Sequence, residues 1–151
     1  MSLNFKNELA ERLIRYTSID SQSNEETFTT PSSKIQYDML YLLEKELKEF
    51  NLEDVRITEY GTLIATIPGN IKCPIIGFLA HVDTAPQFNA TNVKPRIIKN
   101  YNGSDITFPD NESLVLSPDD FSYLGEKIGH DIITASGKTL LGADDKAGIA
   151  I

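Results

Sequence analysis

Leu140-Leu141-Gly142-Ala143-Asp144-Asp145-Lys146-Ala147-Gly148 joins an apolar approach to two adjacent carboxylates that open a helical pattern. An earlier apolar run, Gly77-Phe78-Leu79-Ala80-His81-Val82-Asp83, ends in a His and an Asp two residues apart. Ligands of open α/β sheets gather at the carboxyl ends of strands. The two stretches together therefore predict a metal site at the edge of a sheet.

The spacing of His81 and Asp83 suits a metal-bound histidine and the residue that orients it. Residues i and i+2 of a strand point to one side, so the two side chains share a face if the strand continues to Asp83. A zinc-bound His usually donates its second ring N–H to an acceptor, and Asp83 is placed for that part. The alternative is a His and an Asp that hydrogen-bond each other in a surface loop.

The adjacent acids Asp144 and Asp145 also allow two interpretations. Acidic residues at an N-cap and in a first helical turn bind free N–H groups and favour the positive end of the helix dipole. Two neighbouring carboxylates repel each other, however, and a divalent cation would keep both ionised. One carboxylate has two oxygens and can bridge two metals.

Composition places the chain among soluble globular proteins. It has 151 residues, 40% hydrophobic and 24% charged, which suits one domain. Fourteen basic and 22 acidic residues give a net charge of -8 without a Lys/Arg run, so neither a nucleic-acid nor a membrane partner is expected. The single Cys73 is expected to be a small buried hydrophobe. No signal-peptide pattern or run of ~18 apolar residues is found, which predicts a cytoplasmic protein.

The first third of the chain shows two helical hydrophobic patterns. Apolar residues recur at helical spacing over Leu3–Tyr16, with polar side chains on the other face, which predicts an amphipathic helix. A polar loop is predicted over Ser18–Ser33. Thr30 before Pro31 is typical of an N-cap with proline at the first helical position, so a second helix is predicted over Pro31–Phe50.

The middle of the chain changes to the pattern of strands. Alternation over Val55–Ile57 and Leu63–Ile67, with Tyr60-Gly61 between them, predicts a hairpin. The run Cys73–Ala80 lacks alternation, as a strand covered on both faces would require. We therefore predict a buried central strand with His81 at its carboxyl end.

The remainder contains an irregular insertion and a final strand and helix. Residues Pro86–Asp120 carry Asn, Pro, Gly and Asp at short intervals, which predicts loops with short hairpins. A strand is predicted at Ile132–Thr134 and a helix over Asp145–Ile151, while His130 is interpreted as a loop residue. This order of elements indicates an α/β fold with a mixed sheet flanked by helices.

The motif His81-Val82-Asp83-Thr84-Ala85-Pro86, together with Leu141–Gly148, resembles the peptidase T family of two-zinc aminotripeptidases. The resemblance runs from Tyr16–Asp20 to the last residue and covers the first third or so of the family's length. It implies that residues 1–151 are the N-terminal part of a zinc-peptidase catalytic domain. The remainder of that domain and a small inserted domain would be absent.

The resemblance also implies roles for individual residues. Asp144, the Asp before x-Lys, corresponds to the ligand that bridges two zinc ions, and His81 binds one of them. Asp83 is assigned to catalysis through its orientation of His81, whereas Lys146 and Gly148 are assigned to helix-start geometry and close packing. Family members also use a general-base Glu, a second Glu, a further Asp and a distant His, all beyond the equivalent of this chain.

The function implied by the resemblance is release of the N-terminal residue from tripeptides by zinc-activated water. The chain alone would be inactive and would require its missing C-terminal segment. One alternative is a zinc-dependent carboxypeptidase or deacylase of the same broad family, because H-x-D and D-D-K do not encode which end of a peptide is held. Another is a non-catalytic, truncated remnant.

Overall fold

The secondary structure is that of an α/β protein. The computed structural model describes residues 5–151. Its elements in chain order are α1 Phe5–Thr17, α2 Gln36–Glu49, β1 Glu53–Ile57, β2 Leu63–Thr66, β3 Arg96–Ile98, β4 Ile106–Phe108, β5 Asn111–Leu116, α3 Ser122–Gly125, β6 Ile132–Thr134 and α4 Ala143–Ala150. The predicted α/β class is confirmed, and the strands within the described residues form three two-stranded sheets.

The first helix packs on the second and the last. Tyr16, Met39, Leu43 and Ala150 form a buried cluster that joins α1, α2 and α4. The Tyr16 hydroxyl donates a hydrogen bond to Glu46. The predicted helix over Leu3–Tyr16 is confirmed from Phe5 onward, and its first two residues lie outside the described part of the chain.

The second helix begins later than the Thr30-Pro31 signature predicts. Residues 34–35 form a turn before the helix, in which the Gln36 N–H donates to the Ser33 carbonyl at 3.3 Å, and α2 starts at Gln36. Pro31 instead packs against the β1–β2 turn, where an added Cβ on Gly61 would lie 2.3 Å from the proline Cγ. This tertiary contact overrides the local N-cap pattern, so the predicted start at Pro31 is wrong.

The predicted β1–β2 hairpin is confirmed. The strands are antiparallel, with Ile57 opposite Leu63. Thr58 N–H donates to the Thr62 carbonyl at 2.9 Å, and Gly61 adopts a φ of +73° in the turn. Glycine tolerates this conformation because it has no Cβ.

The predicted central strand Cys73–Ala80 is wrong. No strand within residues 5–151 pairs with this segment. Ile75, Phe78 and Leu79 are 99%, 94% and 99% exposed, and Cys73 is exposed too, contrary to its predicted burial. An apolar sequence favours burial, but burial also requires a neighbouring strand and a covering layer, which the described residues do not supply here.

The insertion is organised by two antiparallel pairs. The predicted short hairpin is confirmed as β4–β5. Strand β3 instead pairs with β6, with Arg96 opposite Thr134 and Ile98 opposite Ile132, so the predicted strand at Ile132–Thr134 is confirmed. The β3–β6 pair thus connects the insertion to the strand that follows it in the chain. The short helix α3, which was not predicted, contributes Leu124 to a small core with Tyr101 and Ile106.

Candidate metal centre

The segment that carries His81 is held by a polar loop near the amino terminus. Gln22 and Thr84 form an isolated parallel β-bridge. Thr84 N–H donates to the Ser21 carbonyl at 3.2 Å, and Ser23 N–H donates to the Thr84 carbonyl at 3.0 Å. His81 and Asp83 are therefore positioned by this loop, since the predicted central strand does not form.

The start of α4 lies against the same segment. Gly142 has a φ of +77°, and a Cβ added there would lie 3.1 Å from Thr84 Cγ2. The peptide bond between Asp144 and Asp145 is cis, and neither residue has helical backbone angles. The helical conformation thus begins at Lys146, one residue later than predicted.

His81 contacts both predicted acidic partners. Its Nδ1 lies 3.0 Å from Asp83 Oδ1 and 3.0 Å from the Asp83 carbonyl oxygen. Its Nε2 lies 3.0 Å from Asp144 Oδ1. The structure therefore brings together the three residues that the sequence analysis predicts for the site. The Asp144 side chain is 97% exposed, so the centre is open to solvent.

The electrostatics of the centre follow from these contacts. Partial burial acts to lower the pKa of the His81 imidazole, but hydrogen bonds to Asp144 and Asp83 outweigh it and the net shift is upward. Burial acts to raise the pKa of the Asp83 carboxyl, but the hydrogen bonds from Ser23 and His81 produce a net decrease. Asp83 thus favours its ionised form, which is a strong acceptor for an imidazole N–H.

The donor set fits a zinc ion in part. Two ligands of one tetrahedral zinc, with bonds of about 2.0–2.2 Å, lie about 3.3 Å apart, and Nε2 of His81 and Oδ1 of Asp144 are separated by a similar distance. Across residues 5–151, no three His, Cys, Asp or Glu side chains gather closely enough to hold a metal. Catalytic zinc normally takes three protein ligands and a water, so His81 and Asp144 would form an incomplete site.

Other predicted residues have different surroundings. Lys146 is 1% exposed and donates from Nζ to the Ile19 carbonyl at 2.6 Å. The Asp145 carboxylate lies against Gly148, where a Cβ would be 2.3 Å from Oδ1, in agreement with the packing role predicted for that glycine. His130 lies in an exposed bend, as predicted.

Sequence reasoning missed the loop residues that hold the centre. Ser21 Oγ donates to the Val82 carbonyl at 2.7 Å, and Ser23 Oγ donates to Asp83 Oδ2. A serine-rich loop is common in proteins, so composition alone offers no signal for such contacts. The serines directly follow Tyr16–Asp20, where the family resemblance begins, and this adjacency in sequence is the signal that could have drawn attention to them.

No helix within residues 5–151 has the length and hydropathy that crossing a bilayer requires.

Comparison with known proteins places the chain beside one family. No protein-family model matches it. Curated relatives named peptidase T are 53% identical in an Exiguobacterium species, 50% in Geobacillus thermodenitrificans and 54% in Desulfitobacterium hafniense, over 94%, 96% and 93% of this chain. The chain spans 34–36% of these relatives' lengths.

A solved structure shows the same fold. The crystal structure of a tripeptidase from Staphylococcus aureus matches with a TM-score of 0.57 at 24% identity, over 96% of this chain and 30% of that one. At this level of identity the likeness concerns the fold alone. At the higher identities to the curated relatives, the chain is similar in sequence to about a third of the length of proteins named peptidase T.

Proposed function

We propose that the chain is the N-terminal part of the catalytic domain of a zinc-dependent aminotripeptidase. The observation that carries the proposal is the contact of His81 with Asp83 through one ring nitrogen and with Asp144 through the other. The 50–54% identity to proteins named peptidase T supports it. Small peptides are the proposed substrates, in the cytoplasm.

In the proposed site, His81 and Asp144 are metal ligands. Bound zinc would lower the pKa of a coordinated water and polarise the peptide carbonyl. His81 contributes Nε2, which stays free of a proton when Nδ1–H is donated to Asp83. Asp144 contributes a carboxylate with two oxygens, which suits it to bridge two zinc ions. Asp83 holds the imidazole ring and its tautomer.

We propose that the remaining residues of the site lie in sequence outside this chain. Two ligands are too few for two catalytic zinc ions, and the described residues offer no third donor beside them. The relatives are almost three times as long, which leaves room for a general base and further ligands. The remaining catalytic domain and a small inserted domain are proposed to lie there.

The test uses a protein of the relatives' full length that carries this segment. Asp144→Ala should lower tripeptide hydrolysis by more than ~100-fold and reduce the zinc content, because a loss beyond the ~10–100-fold typical of orienting residues is expected for a ligand. Asp119→Ala, which removes an exposed acid in the insertion, is the matched control. Full activity and unchanged zinc in Asp144→Ala would remove Asp144 from the site.

Blocked substrates decide which end of the peptide is held. An aminopeptidase should cleave a tripeptide amide and should not cleave an N-acetylated tripeptide whose carboxyl end is free. The reverse pattern would favour a carboxypeptidase, and release of acetate from the N-acetylated form would favour a deacylase. Absence of any hydrolysis with zinc bound would favour a non-catalytic product.

A further inference from the structure

Both oxygens of the Asp83 carboxylate are engaged, each by a different partner. Oδ1 lies 3.0 Å from His81 Nδ1, and Oδ2 accepts a hydrogen bond from the Ser23 hydroxyl. A carboxylate held at both oxygens cannot turn about its Cβ–Cγ bond without losing one contact. The Ser23 hydroxyl therefore restricts the orientation of the group that contacts the imidazole.

The position of Ser23 is set by the backbone. Its N–H donates to the Thr84 carbonyl at 3.0 Å, while Thr84 N–H donates to the Ser21 carbonyl at 3.2 Å. Ser21 adds a hydroxyl bond of 2.7 Å to the Val82 carbonyl. These bonds flank Asp83 on both sides in the chain, so the Ser23 hydroxyl reaches the carboxylate beside the isolated parallel bridge between Gln22 and Thr84.

The same loop also holds the second half of the centre. Lys146, two residues after Asp144, is buried and donates to the Ile19 carbonyl at 2.6 Å. Residues 19–23 thus contact both the His81 segment and the start of α4. The separation between His81 and Asp144 depends on this loop.

We propose that Ser23 is a positioning residue of the metal centre, which acts by fixing the Asp83 carboxylate against His81 Nδ1. This inference rests on the proposed function for its catalytic meaning. Nδ1–H has two acceptors, the Asp83 carbonyl and Oδ1, and the charged oxygen is the stronger one. Because the Asp83 side chain is 42% exposed, loss of the serine hydroxyl would let the carboxylate turn toward water.

The predicted consequence concerns the tautomer of His81. With Nδ1–H donated to Asp83, Nε2 keeps the lone pair that a metal ligand requires. Without a metal, Asp144 Oδ1 at 3.0 Å would itself accept from an Nε2–H, so the tautomer is compared in chains that carry Asp144→Ala. Free imidazole prefers the opposite tautomer, with the proton on Nε2. Ser23→Ala should therefore shift neutral His81 toward the Nε2–H form, and Ser23→Thr, which retains the hydroxyl, should restore the Nδ1–H form.

The chain has two histidines, so ¹⁵N-histidine labelling gives two imidazole signals, and His130→Gln assigns them. Spectra of the metal-free 151-residue chain carrying Asp144→Ala, which removes the acceptor beside Nε2, are recorded at a concentration where light scattering shows a monomer, about two pH units above the ordinary histidine pKa. Ser21→Ala is the matched control, since it removes a hydroxyl from the same loop that binds backbone instead of the carboxylate. It should lower the free energy of unfolding and leave the His81 tautomer unchanged.

Equilibrium dialysis of the full-length protein with zinc alone provides the second measurement. Ser23→Ala should raise the zinc dissociation constant about tenfold, at the lower end of effects typical of groups that orient a ligand, and Ser23→Thr should stay close to wild type. An unchanged tautomer in Ser23→Ala, or the same shift in Ser21→Ala, would overturn the inference.

The two measurements also separate this inference from the proposed function. A tautomer shift together with a full-length protein that binds no zinc would support the role of Ser23 and count against the metal centre. Zinc binding that is lost in Asp144→Ala but unaffected in Ser23→Ala would support the metal centre and reject the role of Ser23.

Discussion

Replacing Asp83 with asparagine isolates the role of the negative charge at this position. Asn has the same shape as Asp and can still accept from His81 Nδ1, but it lacks the charge that strengthens this hydrogen bond. In the full-length protein, Asp83→Asn should keep zinc bound and slow turnover by ~10–100-fold. Zinc content and kcat for a tripeptide measure this. Wild-type values in both assays would show that Asp83 does not orient His81.

At Tyr16, burial and a hydrogen bond to Glu46 raise the pKa of the phenol to about 12. The folded state favours the neutral phenol, so its stabilisation is complete below the unfolded pKa of about 10 and is lost as the pH rises to about 12. The pKa difference corresponds to about 2–3 kcal/mol.

Ultraviolet titration of the six tyrosines should show one that ionises last, and Tyr16→Phe should remove it. Urea unfolding at pH values between about 10 and 12 should show a smaller loss of stability in this variant than in the wild type. A late phenol that persists in Tyr16→Phe would assign the raised pKa to another tyrosine.

Among the elements, the turn into α4 depends on Gly142. Alanine at a φ of +77° costs about 1–2 kcal/mol, and its Cβ would meet Thr84 Cγ2 at 3.1 Å. Gly142→Ala should therefore lower the free energy of unfolding by at least about 1 kcal/mol, as measured with urea. In Gly125→Ala in α3, the added Cβ would have no atom within 4 Å and the backbone φ is not positive, so this variant should not lose stability. Equal stability of the two variants would contradict this account of the turn.

For the whole molecule, we expect the exposed apolar run Ile75–Leu79 to control self-association in solution. Its residues Phe78 and Leu79 line a groove of about 1020 Å³, together with Leu40, Leu43 and Ile149. Unpaired backbone and uncovered apolar side chains promote association. The 151-residue chain should therefore self-associate as its concentration rises, and it should neither hydrolyse tripeptides nor bind zinc tightly.

Light scattering, peptide hydrolysis with added zinc and zinc binding measure these properties. Ile76→Lys, within the exposed run, should reduce association, whereas Phe28→Lys, at an exposed position in the N-terminal loop, should not. A wild-type chain that stays monomeric at every concentration and turns over tripeptides would contradict the prediction.

The sequence by itself determined the elements whose pattern is local. Helix α1 and the β1–β2 hairpin follow from hydrophobic period and turn chemistry, because these depend on residues close together in the chain. The motifs around His81 and Asp144 also stand out locally, and the resemblance to peptidase T rests on them.

The tertiary structure decided what depends on distant partners. It set the start of α2 through the packing of Pro31 on Gly61, and it left Cys73–Ala80 unpaired because no described strand lies beside it. It also brought the Ser23 hydroxyl to Asp83 and His81 to Asp144. Hydrophobic pattern records which residues favour burial, but the identity of the partner is a long-range property that appears only when the chain is folded.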